Sequence, residues 1–135
     1  MTKSLAVLAL GLGSVVIVAP ALAHHSFAAE FDDQAPVTLK GQVTKIEWLN
    51  PHIWMYVDVK DASGKTANWA LEGGPPNTLF RQGWRKDSVK PGDMVTVEGW
   101  RAKDGSSIAN MRTVTNAEGK KMFAGSSNES SPGER

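Results

Sequence analysis

The sequence contains only three histidines, and two of them directly follow a small-residue triplet near the start of the chain. His24 and His25 come after the tripeptide at 21–23, and His52 lies further along. A histidine with a free α-amine can chelate a metal through that amine and its ring nitrogen, and one more imidazole completes a three-nitrogen site. Planar nitrogen ligands suit Cu(II). The three histidines are therefore candidate copper(II) ligands if His24 becomes the N-terminus.

The first 23 residues have the three-part layout of a secretory signal peptide. Lys3 is the only charge before His24, residues 5–18 are an apolar run, and residues 21–23 supply an A-x-A cleavage pattern. The alternative is a retained membrane anchor, but the run falls short of the ~20 residues that a span needs. We expect cleavage after Ala23, a periplasmic location and no stable membrane anchor after processing.

The rest of the chain has the length of one domain and contains no cysteine, so it does not rely on disulfides. Its 15 basic and 14 acidic residues become balanced once Lys3 is removed. A neutral chain without a basic stripe has no general attraction to phosphate backbones. We therefore expect no nucleic-acid binding, and as partners a metal ion or an envelope protein.

Alternating apolar residues predict strands along most of the mature chain. The first strand begins at Val37 and changes phase after Val43, which indicates a bulge or bend near Gly41. A short helix is expected over 77–82, after two glycines and two prolines. Further strands are predicted over residues 53–59, 66–72, 94–102 and 107–115, with a short edge strand over 119–123 in addition.

This element order predicts an all-β fold, a small five-stranded OB-like barrel with one short helix between strands three and four. A simple β-sandwich is the competing interpretation. The predicted organisation is a signal peptide (1–23), an extended N-terminal arm (24–36), the OB-like domain (37–124) and a disordered tail (125–135). An arm of this length spans up to about 43 Å, enough for His24 to reach His52.

Several segments together resemble a family of small exported bacterial proteins of unknown function. They are an A-H-H-S-F-x-x-x-F-D start, a G-x-V-x-x-x-E-W-x-N-P-H segment, a later G-W, a K-P-G-D-x-V-T-V-x-G segment and an A-K-D-G-S turn. The matching residues are 24–27, 31–32, 41–52, 83–84, 90–99 and 102–106. The resemblance implies a periplasmic location and carries over no activity.

The histidines allow two copper chelates and a plainer interpretation. His24 can bind through its amine and ring, with His52 as third nitrogen, or His25 can bind through the amine, one backbone amide and its own ring. In the plainer interpretation, His24 and His25 are tolerated polar residues and His52 belongs to a turn. Zinc is less favoured, because structural zinc sites take four ligands, commonly thiolates.

The aromatic residues suggest a second, non-metal function. Trp54 and Tyr56 share one face of the predicted second strand, and exposed aromatics on an OB-like sheet can recognise a peptide, a glycan or an envelope partner. Alternatively they pack under the N-terminal arm, against Phe27 and Phe31. No nucleophile motif, phosphate loop or metalloprotease helix is present. We therefore expect a binding protein and not an enzyme.

Overall fold

The computed structural model of the protein describes residues 27–125. The predicted signal peptide, His24, His25 and the predicted tail beyond Gly125 lie outside the described residues. Within that part the fold is mostly β, as predicted, with short helices. The elements are α1 (Phe27–Glu30), β1 (Phe31–Glu47), β2 (Trp54–Lys60), β3 (Thr66–Glu72), α2 (Pro76–Arg81), β4 (Met94–Ala102), β5 (Ile108–Thr115) and β6 (Lys121–Phe123).

The six strands form one sheet in the order β3-β2-β1-β4-β5-β6. Consecutive neighbours in this order are antiparallel, and β3 also pairs in parallel with β5. The parallel contact joins Ala70, Leu71 and Glu72 to Ile108, Ala109 and Asn110, respectively. The expected helix between the third and fourth strands is α2. The sixth strand, β6, lies within the short edge strand predicted over 119–123 and pairs with the end of β5.

The first strand starts earlier than the sequence indicated. Residues expected in the N-terminal arm instead form α1 and the beginning of β1, where Phe31 pairs with Ala102 of β4. The reason is apolar contact: Phe31 is buried, and the ring of Phe27 packs edge-on against Trp100 at 5.3 Å. The sheet therefore begins at Phe31 and not at Val37.

The predicted change of phase in β1 is confirmed. Its pairing with β2 shifts register between Val43 and Lys45. Just before the shift, Gly41 pairs with both neighbouring strands, and a side chain at this position would overlap the backbone carbonyl of Asp58. Because one extra residue is inserted there, the strand bends and alternate side chains change face.

The core consists of the inward residues of the strands and of residues from α2 and its following loop. On the first two strands the inward side chains are apolar: Leu39 and Val43 of β1 and Met55 and Val57 of β2 are buried. Burial of such side chains supplies most of the stability of a small domain without disulfides.

Two tryptophans pack beneath α2 and differ in their hydrogen bonding. Trp48 stacks on Phe80 of α2 at 5.1 Å and meets Trp84 edge-on at 6.3 Å. The indole N–H of Trp84 donates to the carbonyl of Phe123 at 2.7 Å, which ties the end of α2 to β6. The indole N–H of Trp48 is buried, and no acceptor in the described part of the chain bonds to it.

This difference predicts that Trp84→Phe destabilises the protein more than Trp48→Phe does. The first change leaves the Phe123 carbonyl without its donor, which costs about 1–3 kcal/mol beyond the lost packing. The second removes a donor that has no partner and keeps a ring against Phe80. Urea unfolding of both variants measures the two losses. An equal or larger loss for Trp48→Phe would contradict the assignment.

Candidate functional site

A histidine and a buried carboxylate meet where three elements come together. His52 lies in the segment between β1 and β2, one residue after a cis Asn50–Pro51 peptide bond. Glu72 is the last residue of β3, where it pairs with Trp54 of β2 and with β5. The Nδ1 atom of His52 lies 2.5 Å from Oε1 of Glu72. The two side chains therefore form a close pair at one end of the sheet.

The pair fixes the orientation of the imidazole. Glu72 is only 8% exposed. A carboxylate that is buried to this extent needs a partner that compensates for the lost contact with water. An ionised carboxylate only accepts hydrogen bonds, so Nδ1 of His52 carries the proton that lies between the two groups. In the neutral imidazole the other nitrogen, Nε2, then keeps its lone pair for a ligand.

The pair borders a cleft of about 1350 Å³. The cleft is formed by stretches that are far apart in the sequence. They are the end of α1 with the start of β1 (29–31), the loop at 49–52, Trp54, Glu72, Pro75, the β4 end and its turn (102–104), and Ile108. Apolar and charged side chains thus face the same space around His52.

The N-terminal part of the described chain is fastened at this cleft. The backbone N–H of Lys103 donates to the carbonyl of Glu30 at 2.9 Å, and the ammonium of Lys103 donates to the carbonyl of Ala28. The rings of Phe27 and Phe31 lie 5.6 Å apart. Residues 29–31 are therefore held on the same cleft as His52.

The two aromatic residues predicted to bind a partner have different surroundings. Both are half-buried on β2, but Trp54 lines the cleft and Tyr56 does not belong to its lining. The Tyr56 hydroxyl donates to Glu47 at 3.1 Å, and Lys45 lies over the Tyr56 ring while pairing with Glu47. The structure thus brings His52 and Trp54 together and leaves Tyr56 in a separate polar cluster. Phe27 packs against both Phe31 and Trp100, and Phe31 lines the cleft together with Trp54.

The metal prediction rests on residues that the structure covers only in part. Among residues 27–125 no group of three or more His, Asp or Glu side chains is arranged to hold a metal ion. His52 is the one predicted ligand within that range, and His24 and His25 lie outside it. The predicted three-nitrogen site must therefore combine His52 with the chain ahead of Phe27, whereas the His25 chelate would lie wholly outside the described residues.

Glu72 is the site residue that the sequence did not reveal. Alternation along β3 places it on the face opposite Leu71, which for an isolated strand is the solvent face. It is buried because β3 also pairs with β5 at this residue. The nearest local signal is its position directly before two glycines, 73 and 74, at which the strand ends.

A family comparison covers most of this architecture. The model of DUF6152, a family of unknown function, matches residues 13–111. The chain belongs to DUF6152. The DUF6152 match includes all three histidines and Glu72, and it confirms the resemblance to a family of unknown function. No curated protein matches the sequence. Within residues 27–125, no helix has the length and apolar character required to cross a membrane.

Tyr56 provides a spectroscopic test of the polar cluster beside the cleft, because it is the only tyrosine of the chain. Burial, followed by the hydrogen bond to Glu47, raises the pKa of Tyr56 above its ordinary value. The neutral phenol therefore favours the folded state, and this contribution is lost as the pH rises through the raised pKa. We expect phenolate absorbance to appear at higher pH in the folded protein than in urea.

The variant Glu47→Gln should move this titration only part of the way back, because burial remains when the carboxylate charge is gone. Glu98→Gln is the matched control, since Glu98 pairs with Lys121 and Thr113 elsewhere on the sheet. An unchanged titration in Glu47→Gln would show that the charge of Glu47 does not affect the pKa of Tyr56.

Proposed function

We propose that the mature protein is a small periplasmic binding protein, without enzymatic activity, that holds Cu(II) through the N-terminal histidine created by signal-peptide cleavage. Its role is metal buffering, delivery or tolerance. The observation that supports this function best is the pairing of His52 with Glu72 on a cleft that residues 29–31 also line.

The first support is the state of His52. A metal-binding histidine typically gives its second ring nitrogen to a carboxylate, which fixes the ring and increases its basicity. Glu72 stands in that relation to Nδ1 of His52, and the His52 side chain is 29% exposed. Nε2 is thus the atom that takes the metal.

The second support is reach. Ala29 lines the cleft with His52, and His24 precedes it by only a few residues. Even fully extended, the chain from His24 to Ala29 spans no more than about 17 Å. The α-amine at His24 is thereby restricted to the neighbourhood of the cleft, which raises its effective concentration at His52.

The ligand set favours copper. The amine and ring of His24 with Nε2 of His52 supply three nitrogens, and Cu(II) prefers such tetragonal nitrogen sites and leads the divalent affinity order. His25 offers the other chelate, in which the amine, a backbone amide and its own ring bind without His52. Only the first arrangement uses His52 as a ligand and Glu72 to orient it.

We also propose that the fold is an OB-like barrel of five strands, with β6 paired at its side. Its support is the circuit of pairings from β1 through β2, β3, β5 and β4 back to β1, with α2 between β3 and β4. OB-like barrels of this connectivity carry binding sites on their sheet surface and loops.

The test is a Cu(II) titration with EPR on protein purified from the periplasm, after intact mass has confirmed a start at His24. One tight, nitrogen-rich site is expected. His24→Ala, or one extra residue before His24, should lower the affinity steeply. Glu72→Gln should lower it by about 10- to 100-fold, because the imidazole loses its orienting carboxylate.

Glu47→Gln is the matched carboxylate control and should leave copper binding unchanged, because Glu47 pairs with Lys45 and Tyr56. If His52→Ala and Glu72→Gln leave the EPR spectrum unchanged while His24→Ala or His25→Ala alters it, the His25 chelate is the correct one. A processed start other than His24, or only weak copper binding, would refute the proposed function.

A further inference from the structure

The cleft carries an exposed apolar side chain that packing does not explain. In residues 27–125 the exposed large hydrophobic residues are Leu49, 51% exposed, and Met94, 44% exposed. Leu49 lies on the cleft together with half-buried Trp54 and Ile108, whereas Met94 stands at the start of β4 away from it. Leu49, Trp54 and Ile108 thus form one partly exposed apolar surface in the cleft, and such a surface with a polar rim can mark an interaction site.

The charges on the cleft are mostly negative. Its lining contains the carboxylates of Glu30, Glu72 and Asp104, the ammonium of Lys103 and the imidazole of His52, which pairs with Glu72. Asp104 accepts hydrogen bonds from the hydroxyl and the backbone N–H of Ser106, and these keep its pKa below the ordinary value. The whole chain has a formal charge of +1, so the negative charge is a local property of the cleft.

The charge and size of the cleft limit what can occupy it. A volume of about 1350 Å³ exceeds the roughly 300–1,000 Å³ of small-molecule pockets. A polyanion would be repelled by the carboxylates of the lining.

We propose that this cleft binds an extended segment of a partner protein in which an apolar residue stands beside a lysine or arginine. The apolar residue packs against Leu49, Trp54 and Ile108. The cation lies toward Glu30 and Asp104, where charge complementarity speeds association and excludes acidic segments. This function is separate from copper binding and does not require the metal.

The experiment is selection of a randomised short-peptide library on immobilised full-length mature protein that has been treated with EDTA. Enriched sequences should pair an apolar residue with Lys or Arg. The most enriched peptide is then synthesised, and its affinity is measured by fluorescence anisotropy. Leu49→Ser should weaken it by about tenfold or more, as expected for an anchoring residue. Met94→Ser is the matched control and should leave it unchanged.

Two further variants test the contribution of charge to peptide binding and the independence of peptide binding from copper binding. Glu30→Gln should weaken binding and reduce its dependence on salt, because one surface charge is removed. His24→Ala should bind the peptide as well as the native chain does, so that a failure of the copper proposal does not affect this result.

Four outcomes would overturn the inference. They are equal enrichment on native protein and on Leu49→Ser, enrichment of acidic peptides, displacement of the peptide by the neutral glycan maltohexaose, and a dimer in light scattering that Leu49→Ser dissociates. The last two would assign the cleft to a glycan or to a second copy of the chain.

Discussion

Three residue pairs between β3 and β5 bring together the parts of the candidate site. At Glu72 the end of β3 lies between Trp54 of β2 and Asn110 of β5, so its side chain is covered although it ends a strand. Removing a carboxylate from water is costly unless a partner compensates. His52 is the partner at 2.5 Å. The same strand contact places Ile108 opposite Ala70 and so forms one side of the cleft.

The opposite side of the cleft depends on the early start of β1. Apolar contacts hold Phe27 and Phe31 near Trp100, and the turn after β4 binds the backbone of α1 through Lys103. The pairing of β1 with β4 shifts register between Phe31 and Pro36. The chain is thereby attached to the sheet at both positions, with the end of α1 on the cleft. A site assembled in this way needs the N-terminal segment as much as the strands.

Local patterns were sufficient for most of the secondary structure. Alternation gave β3 and β4 at their observed bounds, and the change of phase after Val43 marked the bulge of β1. The sequence did not predict the position of residues that depend on contacts with distant parts of the chain. Phe31 looked like part of an arm because its partner Ala102 is far along the chain. Alternation along β3 suggests that Glu72 is exposed, because no pattern within this strand indicates its parallel pairing with β5. Residue type and spacing identified His52 and Trp54 as candidate site residues. They did not show that the two residues share a cleft.

The chain enters the described fold at Phe27 and leaves it at Gly125, and both ends are near the cleft. Residues 29–31 line it directly, and Ala124 accepts a hydrogen bond from the backbone N–H of Gly74, next to Pro75 of the lining. Purification tags, fluorophores or carrier domains joined directly at Phe27 or Gly125 would therefore crowd the cleft. The hairpin turn at 61–65, which is exposed and whose Gly64 has open space around it, is the better place for a label.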